Sequence, residues 1–336
     1  KAFPGAVCVL GIGDELHGPR AFGRLSYEEG SPAASPGTIY DLASLTKVVA
    51  ATSAAMVLHE EGTFPLGRTV REVIPSFAGG GRDRVTLRHL LAHSAGLAAF
   101  GPLWKTCSGR KAYLDAICSG DLEYEPGTKE VYSDYGAILL GVAIERIAGE
   151  GLDSFCERRV FGPLGMSTTR FLPPPEWRDR IAPTEVDPAR GGALVGRVHD
   201  ENADAMEGVS GNAGLFSTAG DLARFCQALL APEGSPIPRF VSPATVALFT
   251  KRAGLVEGST RALGWDTPSE KHFAAALGPE SFGHTGFTGT SIWCVPGKRA
   301  YLVLLTNRVH PTRANRGIDK VRREAHEAFA RLLNGP

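Results

Sequence analysis

Ser44-Leu45-Thr46-Lys47 places a hydroxyl and an amine one helical turn apart, at the head of the small and apolar run Val48 to Leu58. Residues three apart share a helix face, so the lysine can take the proton of the serine. An amine on an apolar helix is also desolvated, which favours its neutral, proton-accepting form. The result is an activated nucleophile. Spacing alone does not single it out, because Ser108-Gly109-Arg110-Lys111 repeats it. That second copy sits beside Lys105 and reads as a solvated loop before a helix.

Tyr132-Ser133-Asp134 follows the turn Pro126-Gly127-Thr128 and precedes the apolar helical pattern that starts at Gly136. A phenol at a loop-to-helix junction can face a cleft and act as acid or base if a nearby ammonium lowers its pKa. The competing reading is a helix cap, which Ser and Asp both suit. Tyr113-Leu114-Asp115 has the same spacing inside a helical pattern, where Tyr113 is expected to pack. Further on, Gly283-His284-Thr285-Gly286-Phe287-Thr288-Gly289-Thr290 leads into Ser291 to Val295 and, past Pro296-Gly297, into Ala300 to Thr306. This reads as two antiparallel strands with a tight turn. Glycines in a strand mark a bulge or a close approach to the backbone, by a ligand or by an ordinary edge.

With these three motifs in hand, the chain resembles the penicillin-recognising serine hydrolases. Within them it is similar to the branch of class C β-lactamases, D,D-peptidases, D-aminopeptidases and β-lactamase-like (family VIII) esterases. The likeness runs in order from Phe3-Pro4-Gly5-Ala6-Val7 through Ile39 to Lys47, Val85 to Leu97, Tyr132 to Gly136, Gly214 to Thr218 and Leu263-Gly264-Trp265 to the His284 segment. It implies Ser44 as the acylated nucleophile, Lys47 as its base partner and Tyr132 as the second acid/base. The oxyanion hole it implies is the backbone N–H of Ser44 and of Phe287, aimed at charge that develops on the carbonyl oxygen. Asp134, His284, Thr285 and Gly286 take the substrate-binding positions.

Two positions depart from the β-lactamase pattern, which has Asn at the place of Asp134 and Lys at that of His284. Histidine is largely neutral near pH 7, so recognition of a β-lactam carboxylate is expected to suffer. Histidine here is familiar among D-aminopeptidases and some esterases of the branch. A carboxylate beside Lys47 should hold the ammonium charged and raise the pKa of the phenol, against both base roles; it can instead bind a substrate amine or be protonated.

The expected fold is α+β, β-lactamase/D,D-peptidase-like. One antiparallel sheet is flanked by helices, a mostly helical lobe is inserted, and the active site lies in the cleft between them. The chain is read as one catalytic unit over 1–336, with a discontinuous α/β lobe at about 1–62 and 235–336 and a helical lobe at about 63–234. Strands are expected at Ala6 to Gly11 and Ala21 to Tyr27, with a return to strands after about residue 255. Helices are expected at Ser44 to Glu61, Thr86 to His93, Lys111 to Cys118, Gly136 to Ala148, Asp153 to Val160, Ala219 to Leu230 and Asn315 to Leu333.

A chain of 336 residues exceeds the size at which a single core usually keeps growing, which supports two lobes. Net charge is zero and no basic block stands out, so nucleic acid is not an expected partner. No run reaches the roughly 18 apolar residues of a membrane span, and a soluble protein is expected. The chain opens Lys1-Ala2 without methionine, as a processed or trimmed N-terminus would, which leaves the compartment open. The six cysteines show no Cys-x-x-Cys and no regular spacing, so disulfides are not indicated, and Cys107 is the expected exposed thiol.

His89 and His93 have helical i, i+4 spacing but no acidic residue between them as in His-Glu-x-x-His, so no metal is expected. Val198-His199-Asp200-Glu201-Asn202 reads as a capped, solvated loop, or else as part of the cleft lining. Trp265 and Trp293 are expected in the core. No Gly-x-Ser-x-Gly elbow is present, against an α/β-hydrolase.

The expectation is therefore a serine hydrolase with a Ser44 acyl-enzyme and no cofactor. A carboxylesterase on small or short-acyl esters with at most weak β-lactamase activity comes first. A D-aminopeptidase, D,D-peptidase or amidase is the alternative. From another class comes a catalytically weak ligand-binding or sensor module. Its partner would be a small-molecule ester, amide or β-lactam; oligomeric state is left open.

Overall fold

Val7 and Val9 lie directly opposite Leu305 and Val303, all four are buried, and that shared apolar face sets the register in which the two ends of the chain meet. In the computed structural model, which describes residues 1–335, five strands form one antiparallel sheet. They are β1 (Gly5–Ile12), β2 (Glu15–Gly23), β3 (Phe282–Thr285), β4 (Ser291–Val295) and β5 (Ala300–Thr306), in the order β2-β1-β5-β4-β3. The fold is the expected α+β arrangement of antiparallel sheet and helices.

Between β2 and β3 most of the regular elements are helices. A π-helical stretch, Lys47–Thr52, runs straight into α1 (Ser53–Glu60), and α2 (Asp134–Ala148) and α3 (Ala219–Leu230) follow. The chain returns to the sheet and closes with α4 (Ile318–Asn334). Strand alternation sends Val7, Val9, Val303 and Leu305 to the face under α3. The opposite face offers Leu302, Ala300 and Trp293 to Phe329 and Ala330 of α4. One hydrophobic cluster joins Val7, Val303 and Trp265 to Leu45, Met56, Ile144 and Phe161, running across residues 62 and 235, where a lobe boundary is expected.

Three expectations need correction. The second strand is Glu15–Gly23, not Ala21 to Tyr27: Ile12 pairs with Glu15 across a tight turn at Gly13, whose φ is +59°. Most of β2 faces solvent, so it carries no apolar alternation to read. The helix expected from Ser44 starts one residue later, with Ser44 in a turn, and after Leu45 and Thr46 it runs as a π-helical stretch before α1. The terminal helix starts at Ile318 instead of Asn315, because the Asn315 side chain accepts from the Gly317 N–H and holds the preceding turn. Trp265, Trp293 and Tyr113 are fully buried, as expected.

Candidate active site

Ser44, Tyr132 and the His284 to Phe287 segment line one cleft of about 340 Å³. A larger surface groove, about 850 Å³, lies at Gly62, Arg68 and Arg146 and holds no nucleophile–base pair. The chemistry therefore belongs to the smaller cleft.

Ser44 is presented by a strained turn. Ala43 has φ +47°, the left-handed region in which a non-glycine residue costs on the order of 1 kcal/mol. Its N–H is held by Asp41 Oδ1 at 2.8 Å, and the buried Asp41 Oδ2 accepts from the His199 N–H at 2.7 Å. Among the described residues neither the Ser44 N–H nor the Phe287 N–H has an acceptor. Two side chains tie the Phe287 loop to the Ser44 turn. Thr288 Oγ1 donates to the Asp41 carbonyl at 2.7 Å and Thr290 Oγ1 to the Leu42 carbonyl at 3.0 Å. Gly286 lies so close to Leu42 that a Cβ would overlap its carbonyl.

Lys47 is 4% exposed and uses all three directions of its amine. Nζ lies 3.1 Å from Ser44 Oγ, 3.0 Å from the Asn212 carbonyl and 2.7 Å from Asp134 Oδ1. Asn212 and Asp134 can only accept, so the direction toward Ser44 carries either the third N–H or the lone pair of the free amine. Burial alone would pull the pKa of Lys47 down; the charge of Asp134, then Tyr132, more than reverses this and holds it above the ordinary lysine value. The resting amine is an ammonium.

Tyr132 sits in the loop before α2. Capping falls to Ser133, whose Oγ accepts from the Gly136 N–H at 3.1 Å and donates to the Ala98 carbonyl at 2.6 Å. Tyr132 is thereby left to face the cleft and Asp134 to meet Lys47. The Tyr132 ring packs at a tilt against His93, centroids 4.6 Å apart, and Lys47 Nζ lies 4.9 Å from its centroid. Burial raises the phenol's pKa and Asp134 adds to that, while Lys47 opposes them. His93 and His89 are structural: His93 Nδ1 accepts from the Ser133 N–H at 3.1 Å, and His89 Nδ1 from the Thr86 N–H at 3.1 Å.

His284 is 2% exposed. Its Nδ1 lies 2.8 Å from the Thr285 carbonyl, which can only accept, so the proton sits on Nδ1. Nε2 is then a buried acceptor without a partner among the described residues. Burial pulls the imidazole down to about 4; Asp266 raises it, and Arg261 and Lys47 lower it. At neutral pH this position offers a lone pair, not a charge.

Several contributors were not singled out by sequence. Arg261 lies 5.6 Å over the Tyr132 ring and is ion-paired with Glu130, at 3.1 Å, and with Asp266. Arg308, Arg316 and Arg322 also line the cleft. The His199 segment is not a solvated loop: His199 and Asn202 are buried, and the His199 ring stacks on Phe287 at 5.6 Å. Behind Phe287, Glu185 accepts from His199 Nε2 at 3.0 Å and pairs with Arg313, which brings Glu185 to about 2 against the upward pull of burial. Asp200 caps the following helix as read, accepting from the Ala203 N–H at 2.7 Å. All six cysteines are free.

A family profile described as Beta-lactamase matches residues 1–327. A protein of Escherichia coli (strain K12), described as a putative D-alanyl-D-alanine carboxypeptidase, is 35% identical over 313 residues, covering 82% of this chain and 70% of that protein. Among solved structures, EstCE1, a hydrolase with promiscuous acyltransferase activity, superposes with TM-score 0.76 at 24% identity, covering 97% of this chain and 93% of that one. A class C β-lactamase gives TM-score 0.77 at 18% identity, with coverage of 99% and 93%. These two likenesses concern the fold. Among the described residues no helix is long and apolar enough to cross a membrane, and no cluster of three or more His, Cys, Asp or Glu is placed to hold a metal.

Proposed function

The chain belongs to the Beta-lactamase family and is a serine hydrolase, and from that premise we propose that it works through an acyl-enzyme on Ser44, foremost as a carboxylesterase on small or short-acyl esters. The observation that carries this reading is the 3.1 Å approach of Lys47 Nζ to Ser44 Oγ beside two unengaged amides, those of Ser44 and Phe287. Ser44 Oγ attacks the ester carbonyl while its proton passes to Lys47, once that amine has shed its own. The tetrahedral oxygen sits between the two amides, which stabilise charge only as it forms. Tyr132 delivers a proton to the leaving alcohol, and in the second half takes one from the water that attacks the acyl-enzyme.

The ranking of ester over amide rests on electrostatics. Asp134 holds Lys47 charged, and the phenol of Tyr132 is raised, so neither group is poised for demanding proton transfer. An ester leaving group needs less protonation than an amide. The neutral His284 also lacks the charge that would attract a β-lactam carboxylate. A second reading, a D,D-carboxypeptidase, is favoured by the 35% identical relative and by Arg316, an exposed arginine of the cleft lining that a terminal carboxylate can meet.

The test is hydrolysis of p-nitrophenyl esters from acetate to octanoate, beside nitrocefin and a peptide ending in D-Ala-D-Ala, by wild type and Ser44→Ala. Ester turnover abolished by Ser44→Ala supports the first reading, and dominant release of D-alanine supports the second. A stable Ser44 adduct without turnover would favour a binding or sensor module. Full activity in Ser44→Ala would remove the mechanism altogether.

A further inference from the structure

Arg322, in the second turn of α4, reaches across to the loop that carries Phe287. Its Nη2 donates to the Gly286 carbonyl at 2.6 Å and to the Thr290 carbonyl at 2.8 Å. The Gly286 carbonyl and the Phe287 N–H are two ends of one planar peptide unit. Resonance couples those ends: a cation bonded to the oxygen draws electron density from the nitrogen and strengthens its N–H as a donor.

The surroundings of Arg322 suit that use. Both of its acceptors are backbone carbonyls, and its Nε is buried with no partner among the described residues. Buried charges are normally paired with carboxylates, so an arginine held this way calls for an explanation. Burial lowers it to about 10, with Asp319 opposing and Arg308 adding to the fall, and it stays charged at neutral pH. The rest of the loop is braced independently: Arg308 Nε donates to the Phe287 carbonyl at 2.7 Å, with its guanidinium 4.3 Å over the Phe287 ring. Loss of Arg322 therefore removes one charge from one peptide rather than the whole loop.

We infer that Arg322 is a positioning residue of the oxyanion hole, fixing the Gly286–Phe287 peptide and sharpening its N–H for the charge that forms in the transition state. This rests on the acyl-enzyme reading given above. A rigid planar guanidinium suits the task, since two of its bonds define an orientation that a freely turning ammonium does not.

The decisive comparison is between wild type, Arg322→Lys and Arg322→Gln, the last retaining an N–H donor while removing the charge. Steady-state kinetics on p-nitrophenyl acetate would be read beside the infrared carbonyl stretch of the Ser44 acyl-enzyme. Arg322→Gln is expected to lower kcat/KM by about tenfold, a fraction of the loss known for deleting an oxyanion donor outright, through the acylation step rather than substrate binding. Its acyl carbonyl stretch should move to higher frequency, and Arg322→Lys should recover part of both. A folded Arg322→Gln with wild-type kinetics and frequency overturns the inference. So does a slow variant whose carbonyl frequency is unchanged, which would leave Arg322 a structural brace. If wild type forms no Ser44 adduct at all, the acyl-enzyme reading falls and takes this inference with it.

Discussion

Lys47 Nζ and Asp134 Oδ1 lie 2.7 Å apart beside Ser44, in a place where almost no water reaches the amine. The contact that secures the lysine also keeps its proton on. A base must lose that proton before it can act, so the group beside it sets the pH at which the nucleophile wakes.

The first expectation follows from that sign. The pKa of Lys47 is raised, so its neutral fraction, and with it kcat/KM, should climb with pH through the neutral range. Asp134→Asn removes the charge that raises it. The ascending limb should move toward acid by about one unit or more, and the rate at pH 7 should rise about tenfold, since each unit is a factor of ten in neutral amine. His284 does not supply that limb, because it protonates only near 4. A large fall in rate for Asp134→Asn would assign the carboxylate a positive role instead.

Tyr132→Phe should separate substrates by leaving group. Loss of the proton donor matters little for p-nitrophenol, which departs as an anion, and much for an amine. In kcat/KM, which reports acylation, we expect a modest loss on p-nitrophenyl acetate and roughly a hundredfold or more on an amide or alkyl ester, the usual scale of general acid catalysis, while deacylation should slow for every substrate. Equal losses on both would mean that the ring serves by packing between His93 and Lys47.

Gly286→Ala tests the join between the two amides. The added methyl would overlap the Leu42 carbonyl and Thr290 Oγ1, so the Phe287 loop must back away from the Ser44 turn. About a hundredfold loss in kcat is expected, comparable to removing one oxyanion donor. Gly297→Ala, with open space at its Cβ, is the control and should stay within about twofold. Similar kinetics for the two variants would dissociate the loop from catalysis.

Glu185 gives a prediction for acid stability. Its carboxylate is depressed to about 2 by His199 and Arg313, despite the opposing cost of burial. A depressed acid stabilises the fold above its unfolded pKa, and the contribution fades as pH falls through the folded value. Urea unfolding should therefore show Glu185→Gln weaker than wild type by on the order of 2 kcal/mol at pH 7, with the gap closing between about pH 4.5 and 2. A gap that persists at pH 2 would point to lost packing rather than lost charge.

The motif residues were legible because type and local spacing carried them: Ser44 with Lys47, Tyr132 before a capped helix, and His284 on a glycine-flanked strand. What escaped were groups whose part depends on distant approach. The third partner of Lys47 is the Asn212 carbonyl, 165 positions away, and a backbone oxygen has no signature in sequence. Arg308 and Arg322 matter through carbonyls of residues 286 and 287 for the same reason. In the fold, the buried strands and long amphipathic helices announced themselves by periodicity, whereas β2, largely solvent-facing, did not. The π-helical stretch after Ser44 was hidden because its apolar run suits either helix type.

The pairing of β1 with β5 bears on how the molecule comes into being. Val7 meets Leu305 only after the roughly 300 residues that separate them have been made. At about 5–20 residues per second of synthesis, the first strand waits on the order of 15–60 s for its central partner, with only the β2 hairpin beside it. Its apolar face is open to other chains throughout that interval. Long-range pairing also slows refolding from denaturant, because loop closure must precede any reward from the sheet. The nascent chain is thus most vulnerable to aggregation at β1, the strand that chaperones would have to shield.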